Sequence, residues 1–255
     1  MAAVGMRRGS SMRTRSLSAW VGVVAMAALS TILAAPAGAT DLATYEVTIT
    51  DLTGGQPLTP PVIATHNGGI HIFQVGRPAS FEVKEIAENG NLAPLASALG
   101  ADGRVFDVEA GGFPLVPPGL PGSGSLPDSV TLTIAGTSSA KYISLESMLI
   151  CTNDGFTGLD RVRLPNGVGD SVTLLTNAYD AGTEVNTEDF ADIVPPCQAL
   201  VGVSSGEPGT GVSNPALAEG GVIHHHEGIL GIADLVPAIH GWTDPVAEVV
   251  IERVS

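Results

Sequence analysis

Aromatic residues make up only 4% of this 255-residue chain, and charged residues only 15%. Basic residues are scarcer than acidic ones, with 11 Lys+Arg against 26 Asp+Glu. Four of the basic residues (Arg7, Arg8, Arg13 and Arg15) lie in the first 39 positions, which hold no acid. The remainder carries seven against 26, a net charge of −19. Such a surface repels nucleic acid and anionic lipid. It leaves cations, basic patches, neutral sugars and proteins as partners. Two cysteines are too few for a cysteine-rich metal or disulfide scaffold. No repeat of about 20–50 residues is visible, which argues against a solenoid or propeller. The glycine-rich stretches lack the P-loop lysine and the dinucleotide-binding pattern, so nucleotide binding has no support.

The N-terminus reads as an export signal. The four arginines form a basic region, Leu17 to Leu33 is apolar apart from small and hydroxyl residues, and Ala37-Gly38-Ala39 supplies a small-x-small cleavage site. Residues 1–39 are therefore expected to be removed, leaving a secreted, extracellular chain of about 216 residues. No later stretch approaches the run of about eighteen apolar residues that a membrane span requires.

Many Val, Ile and Thr among frequent Gly and Pro predict short strands joined by turns. Tyr45 to Thr50, Asp128 to Ala135 and Glu248 to Val254 are strand-like runs. Val62 to Ala64, Ile70 to Phe73 and Arg104 to Glu109 read as extended pieces, and Ser80 to Lys84 as another short strand. Ile86 to Leu99 is the best helical stretch, broken by Gly90 and Pro94. Gly111 to Pro127 reads as an exposed irregular loop, Ser204 to Pro215 as mobile chain, and Asn186 to Ile193 as one helical turn. The expectation is a single all-β domain over 40–255, a two-sheet antiparallel β-sandwich of about eight to ten strands.

Cys151 and Cys197, in an exported chain, are expected to form a disulfide; two buried free thiols are the alternative. The bridge would fix the base of the chain's organising stretch, Tyr142 to Glu184. There a strand ends in the turn Thr152-Asn153-Asp154-Gly155, and a second β run, Ser171 to Leu175, leads to Asp180-Ala181-Gly182-Thr183-Glu184. Hairpin-like folding would bring Asp154, Asp180 and Glu184 to one end of a sheet. Several carboxylate oxygens over a small volume suit a hard cation such as Ca²⁺. Acidic turn residues are also common as solvated turn formers. Asp160 is near enough in sequence to be a fourth ligand, and Asp170 reads as a turn residue.

The segment Met148-Leu-Ile-Cys-Thr-Asn-Asp-Gly-Phe-Thr-Gly158, followed by Asp180-Ala-Gly-Thr-Glu184, resembles the spondin N-terminal (F-spondin) domain family. Animal members read roughly Ser-Pro-Asp-Trp-x-Val-Gly in the first loop and Asp-Ala-Gly-Thr-Asp in the second. Val246 to Val254 is similar to that family's last strand, so the likeness spans about Tyr45 to Val254. It implies a C2-like β-sandwich that binds calcium through Asp154, Asp180 and Glu184, in a non-enzymatic cell-adhesion or matrix module with an extracellular protein or glycan partner. This chain departs from the pattern at Gly155, where the family has an aromatic residue, and at Glu184, where it has Asp.

His224-His225-His226-Glu227 supports a competing expectation, a metal-dependent enzyme acting on a polysaccharide, with His66, His71 or His240 completing the site. Strand alternation allows only His224 and His226 to point together, and no His-Glu-x-x-His spacing is present. Gly202-Val203-Ser204-Ser205-Gly206 matches the nucleophile-elbow letters, but no helix start follows it.

Overall fold

The computed structural model describes residues 42–255. The expected leader lies outside them. Ten strands form two antiparallel sheets. The four-stranded sheet has the order β4 (Ser129–Gly136), β1 (Ala43–Asp51), β10 (Ala247–Arg253), β7 (Ser171–Thr176). The six-stranded sheet has the order β3 (Val105–Ala110), β2 (Val62–His66), β5 (Tyr142–Met148), β6 (Gly155–Arg163), β8 (Ala178–Asp180), β9 (His224–His225). The mostly-β sandwich read from the sequence is what forms.

Alternation explains which face each strand buries. Tyr45, Val47 and Ile49 of β1 meet Ile63, Ile143, Leu145, Val249 and Ile251 in the core between the sheets. The opposite face of the six-stranded sheet is covered as well. Val62, Ala64, Met148 and Phe156 pack there against Val83, Ile86 and Ala87 of α1 (Phe81–Asn89) and Leu95 and Leu99 of α2 (Ala93–Ala101). A strand buried on both faces reads as a continuous apolar run, and every residue of β2 is buried.

Two readings change. Ser80 to Lys84 is not a strand: Ser80 caps α1, its side chain accepting the N–H of Val83. α1 ends where predicted, at Gly90 in the left-handed conformation (φ 62°), and Pro94 sits in the first turn of α2. The loop over Gly111 to Pro127 is irregular but not wholly exposed. Leu115 and Val116 are buried, and Leu58 bridges to Leu115. Among the described residues no helix is long and apolar enough to cross a membrane.

The chain changes sheets between β7 and β8. β7 pairs with β10, whereas Ala178–Asp180 pairs with β6. Thr157 Oγ1 is hydrogen-bonded to Thr176 Oγ1 at 2.7 Å and lies 2.9 Å from the Asn177 carbonyl, which pins the crossing point. The switch delivers Asp180 beside Gly155, as its register partner.

Candidate functional site

The first acidic loop is built by Thr152. Its hydroxyl donates to the Leu149 carbonyl at 2.7 Å and accepts the N–H of Gly155 at 2.9 Å, closing a tight turn that aims Asp154 inward. A Cβ at position 155 would lie 2.5 Å from Thr152 Oγ1. Gly155 is therefore the partner this threonine turn requires, and it explains why no aromatic residue follows Asp154.

The two acidic loops join directly. The Asp154 carbonyl accepts the N–H of Ala181 at 3.1 Å. Asp154 Oδ2 accepts the N–H groups of Thr183 (2.7 Å) and Glu184 (3.0 Å) and the Thr183 hydroxyl (3.1 Å). Asp180 Oδ1 accepts the N–H of Gly182 at 2.7 Å, and its Oδ2 accepts Asn186 Nδ2 at 2.7 Å. Gly182 is left-handed (φ 65°), and a Cβ there would lie 2.6 Å from the Val222 nitrogen. Glu184 Oε1 accepts a long bond, 3.4 Å, from the Asn214 N–H.

All three predicted carboxylates are buried: Asp154 is 0% exposed, Asp180 1% and Glu184 3%. A fourth joins them from α1. Glu88 is 4% exposed, and neither of its carboxylate oxygens has a hydrogen-bond partner. The Lys84 ammonium lies 3.6 Å from one of them, one helical turn away. Asp154 Oδ1 is likewise buried and unpartnered. Burying a carboxylate without a compensating partner disfavours its charged form. Burial first, then the charge of Asp180, pushes Asp154 up to about 7 despite the N–H groups that oppose the shift. Glu184 also rises to about 7, through burial and the charge of Glu88, with Asp154 and Asp192 adding to it.

The cations nearby are few. His224 Nε2 lies 3.6 Å from Asp180 Oδ1. Its proton affinity is raised by the Nδ1–H bond to the His225 carbonyl, helped by Asp180, Glu219 and Asp154. No three of these carboxylates bring an oxygen each within 4.8 Å of one another among the described residues. The one set that does is Cys151, Cys197 and His240, and its sulfurs are already joined in the expected disulfide, with Cα atoms 5.0 Å apart. The acidic end is thus an oxygen-rich cluster with Lys84 and His224 as its nearby cations, not a closed cage.

The remaining singled-out residues go elsewhere. Asp160 is not a fourth ligand; it binds His71 and the Ile72 N–H at 2.9 Å, farther along β6. Asp170 closes a turn by accepting the Gly167 N–H at 2.8 Å. His225 lies against Tyr179, with centroids 5.2 Å apart, and His226 lies edge-on to Trp242 at 5.0 Å. His66 is buried against Ser144, and His240 accepts the Val236 N–H. The histidine cluster therefore points to three different neighbours. Ser204 lies after α3 (Pro196–Val201), whose end is Gly202, and donates to Gln198 Oε1. The helix precedes this serine, whereas a nucleophile elbow needs one after it.

Glu88 is the member of the site that sequence reasoning missed. The signal was present: Ser80 as a cap, then Val83, Ile86 and Ala87 at helical spacing, placing Glu88 one turn beyond Lys84. No family model matches this chain, and a comparison with curated proteins gives no match either.

Proposed function

We propose that the chain is an exported, calcium-binding, spondin-like interaction module without catalysis, holding Ca²⁺ through Asp154, Asp180 and Glu184. The observation that carries this reading is Asp154 Oδ1: wholly buried, without a hydrogen-bond partner, and beside the charge of Asp180. A buried acceptor at an acidic, cation-poor end suits a hard divalent cation, which takes carboxylate and carbonyl oxygens.

Asp154 can keep its Oδ2 on the Thr183 and Glu184 N–H groups while offering Oδ1. Asp180 and Glu184 would contribute one oxygen each, with Glu88 close enough to Glu184 to feel its charge. The bound ion would supply the positive charge the loops lack. Drawing Asp180 and Glu184 toward Asp154 would order the second loop, beside which Val185 and Val222 are exposed. That surface is where an extracellular protein or glycan would bind.

Titration calorimetry on chelated protein tests the reading. Ca²⁺ is expected to bind saturably with one site per chain, and Asp180→Ala to abolish it. Tighter binding of Zn²⁺ than of Ca²⁺, or Ca²⁺ binding that survives Asp180→Ala, would sink it.

A further inference from the structure

At the opposite end of the β5–β6 hairpin, about 30 Å along β6 from Asp154 at the usual rise per residue, the charge reverses. A cavity of about 300 Å³ is lined by Lys141, Arg163 and Arg253, with Tyr45, Ser138 and Asn166 among its other walls. Only seven Lys and Arg residues exist outside the first 39 positions, so three of the seven converge on one cavity. No Asp or Glu lines it. The four ion pairs among the described residues use His71, Lys84, Arg104 and His224, and none of these three.

The topology gathers them. Arg163 is the register partner of Tyr142, next to Lys141, and the Leu164 N–H binds the Lys141 carbonyl at 3.0 Å. Arg253 stands directly opposite Tyr45 across β1 and β10. It is held in place, donating to a carboxylate oxygen of Ser255, the last residue, at 2.8 Å and to the Asn166 carbonyl. The Tyr45 hydroxyl donates to the Pro165 carbonyl, closing the floor. Lys141 and Arg163 have no side-chain acceptor among the described residues. These two like charges meet at one cavity without an acidic partner, which an anion would supply.

We propose that this cavity binds the oxyanion group of an acidic sugar: a sulfate, phosphate or carboxylate. The guanidinium fork of Arg163 can pair with such a group through two parallel hydrogen bonds. The Ser138 hydroxyl and the Asn166 amide can bind sugar hydroxyls beside it. The volume is that of the smallest ligand pockets, which is larger than an inorganic ion needs. The net charge of −19 outside the leader repels long polyanions at a distance. A single acidic sugar, or the end of a chain, meets the local cations without that penalty. This inference is independent of the calcium site.

Calorimetric titration of the protein with glucuronate, glucose 6-sulfate, glucose and inorganic sulfate tests it. Both acidic sugars are expected to bind saturably, and glucose not at all. Inorganic sulfate should bind about tenfold more weakly than glucose 6-sulfate. Lys141→Gln/Arg163→Gln is expected to weaken acidic-sugar binding at least about tenfold. Arg77→Gln/Arg104→Gln, which removes two charges elsewhere, should leave it unchanged. Amide shift mapping in the unaltered protein makes the same test without substitution, with shifts expected at Thr137–Lys141 and Arg163–Asn166. No acidic-sugar binding, equal losses in both double variants, or shifts confined to other regions would overturn the proposal. Equal affinity for free sulfate and the sugar sulfate would reduce the site to one for an inorganic ion and overturn the sugar assignment.

Discussion

Asp154 accepts the backbone N–H of Glu184 at 3.0 Å, across 30 residues of chain. The carboxylate that holds the second loop in place thus draws its acidic side chains toward itself. Attraction through the backbone works against repulsion between the charges. In the metal-free protein protons settle that conflict, and this gives the first prediction.

Asp154 and Glu184 both titrate near 7, above their usual 3.8 and 4.5, and burial lifts Asp51 to about 8. A raised carboxyl contributes stability that is fully present below its unfolded value and lost as pH rises through its folded value. In chelator, unfolding free energy is expected to fall by at least about 2 kcal/mol between about pH 5 and pH 8. With Ca²⁺ in excess the acidic loops should show the opposite trend, because ligands must be deprotonated to bind metal. Asp51→Asn removes its share of the slope in both conditions. Calorimetry across the pH range reads all three effects.

Glu88→Gln removes a buried charge whose oxygens have no hydrogen-bond partner. The Glu184 carboxyl is expected to titrate lower in the variant, since the charge of Glu88 is part of what raises it. Carboxyl-carbon NMR titration of Glu184 in the two proteins is the check. An unmoved Glu184 would mean the two carboxylates do not interact.

Glu188 holds a different loop. Its carboxylate accepts the N–H groups of Leu230 (2.6 Å), Gly231 (2.7 Å) and Ile232 (2.9 Å). Glu188→Ala is expected to destabilise the protein by about 2–4 kcal/mol, since three backbone donors lose a charged acceptor. Glu188→Gln should cost less. Hydrogen exchange at Leu230, Gly231 and Ile232 should accelerate in both, most in the alanine variant.

The Cys151–Cys197 bridge closes a separation of 46 residues. In the chain-entropy picture its removal, as Cys151→Ala/Cys197→Ala, is expected to cost about 4 kcal/mol. Denaturant unfolding with and without the bridge measures this.

Legibility followed the kind of pattern each element carries. β1 and β10 alternate because only one face is buried beneath each apolar position, so their periodicity was plain. The acidic turns were readable because Asn, Asp and Gly mark a chain reversal locally. Ser80 to Lys84 misled because five residues with an apolar centre fit strand and helix alike. That error concealed Glu88, whose place depends on a helix carrying it to the loops. The move of the chain from one sheet to the other at Asn177 left no signature, since β7 and β8 are both extended. What fixes it is the distant Thr157–Thr176 contact. Asp160 failed as a ligand for a simpler reason. Six residues of extended chain carry it about 20 Å from Asp154, to His71.

The most direct test of the central claim is the thermal unfolding of wild type and Asp154→Asn at about pH 8, in chelator and then in excess Ca²⁺. Wild type is expected to rise in Ca²⁺ by the binding contribution, about 2.7 kcal/mol at a hundredfold excess over Kd. Asp154→Asn keeps an oxygen for the Thr183 and Glu184 N–H groups but carries no charge. It is expected to equal or exceed wild type in chelator and to show no Ca²⁺ response. A wild type indifferent to Ca²⁺, or a variant that rises as much, would contradict calcium binding at these loops.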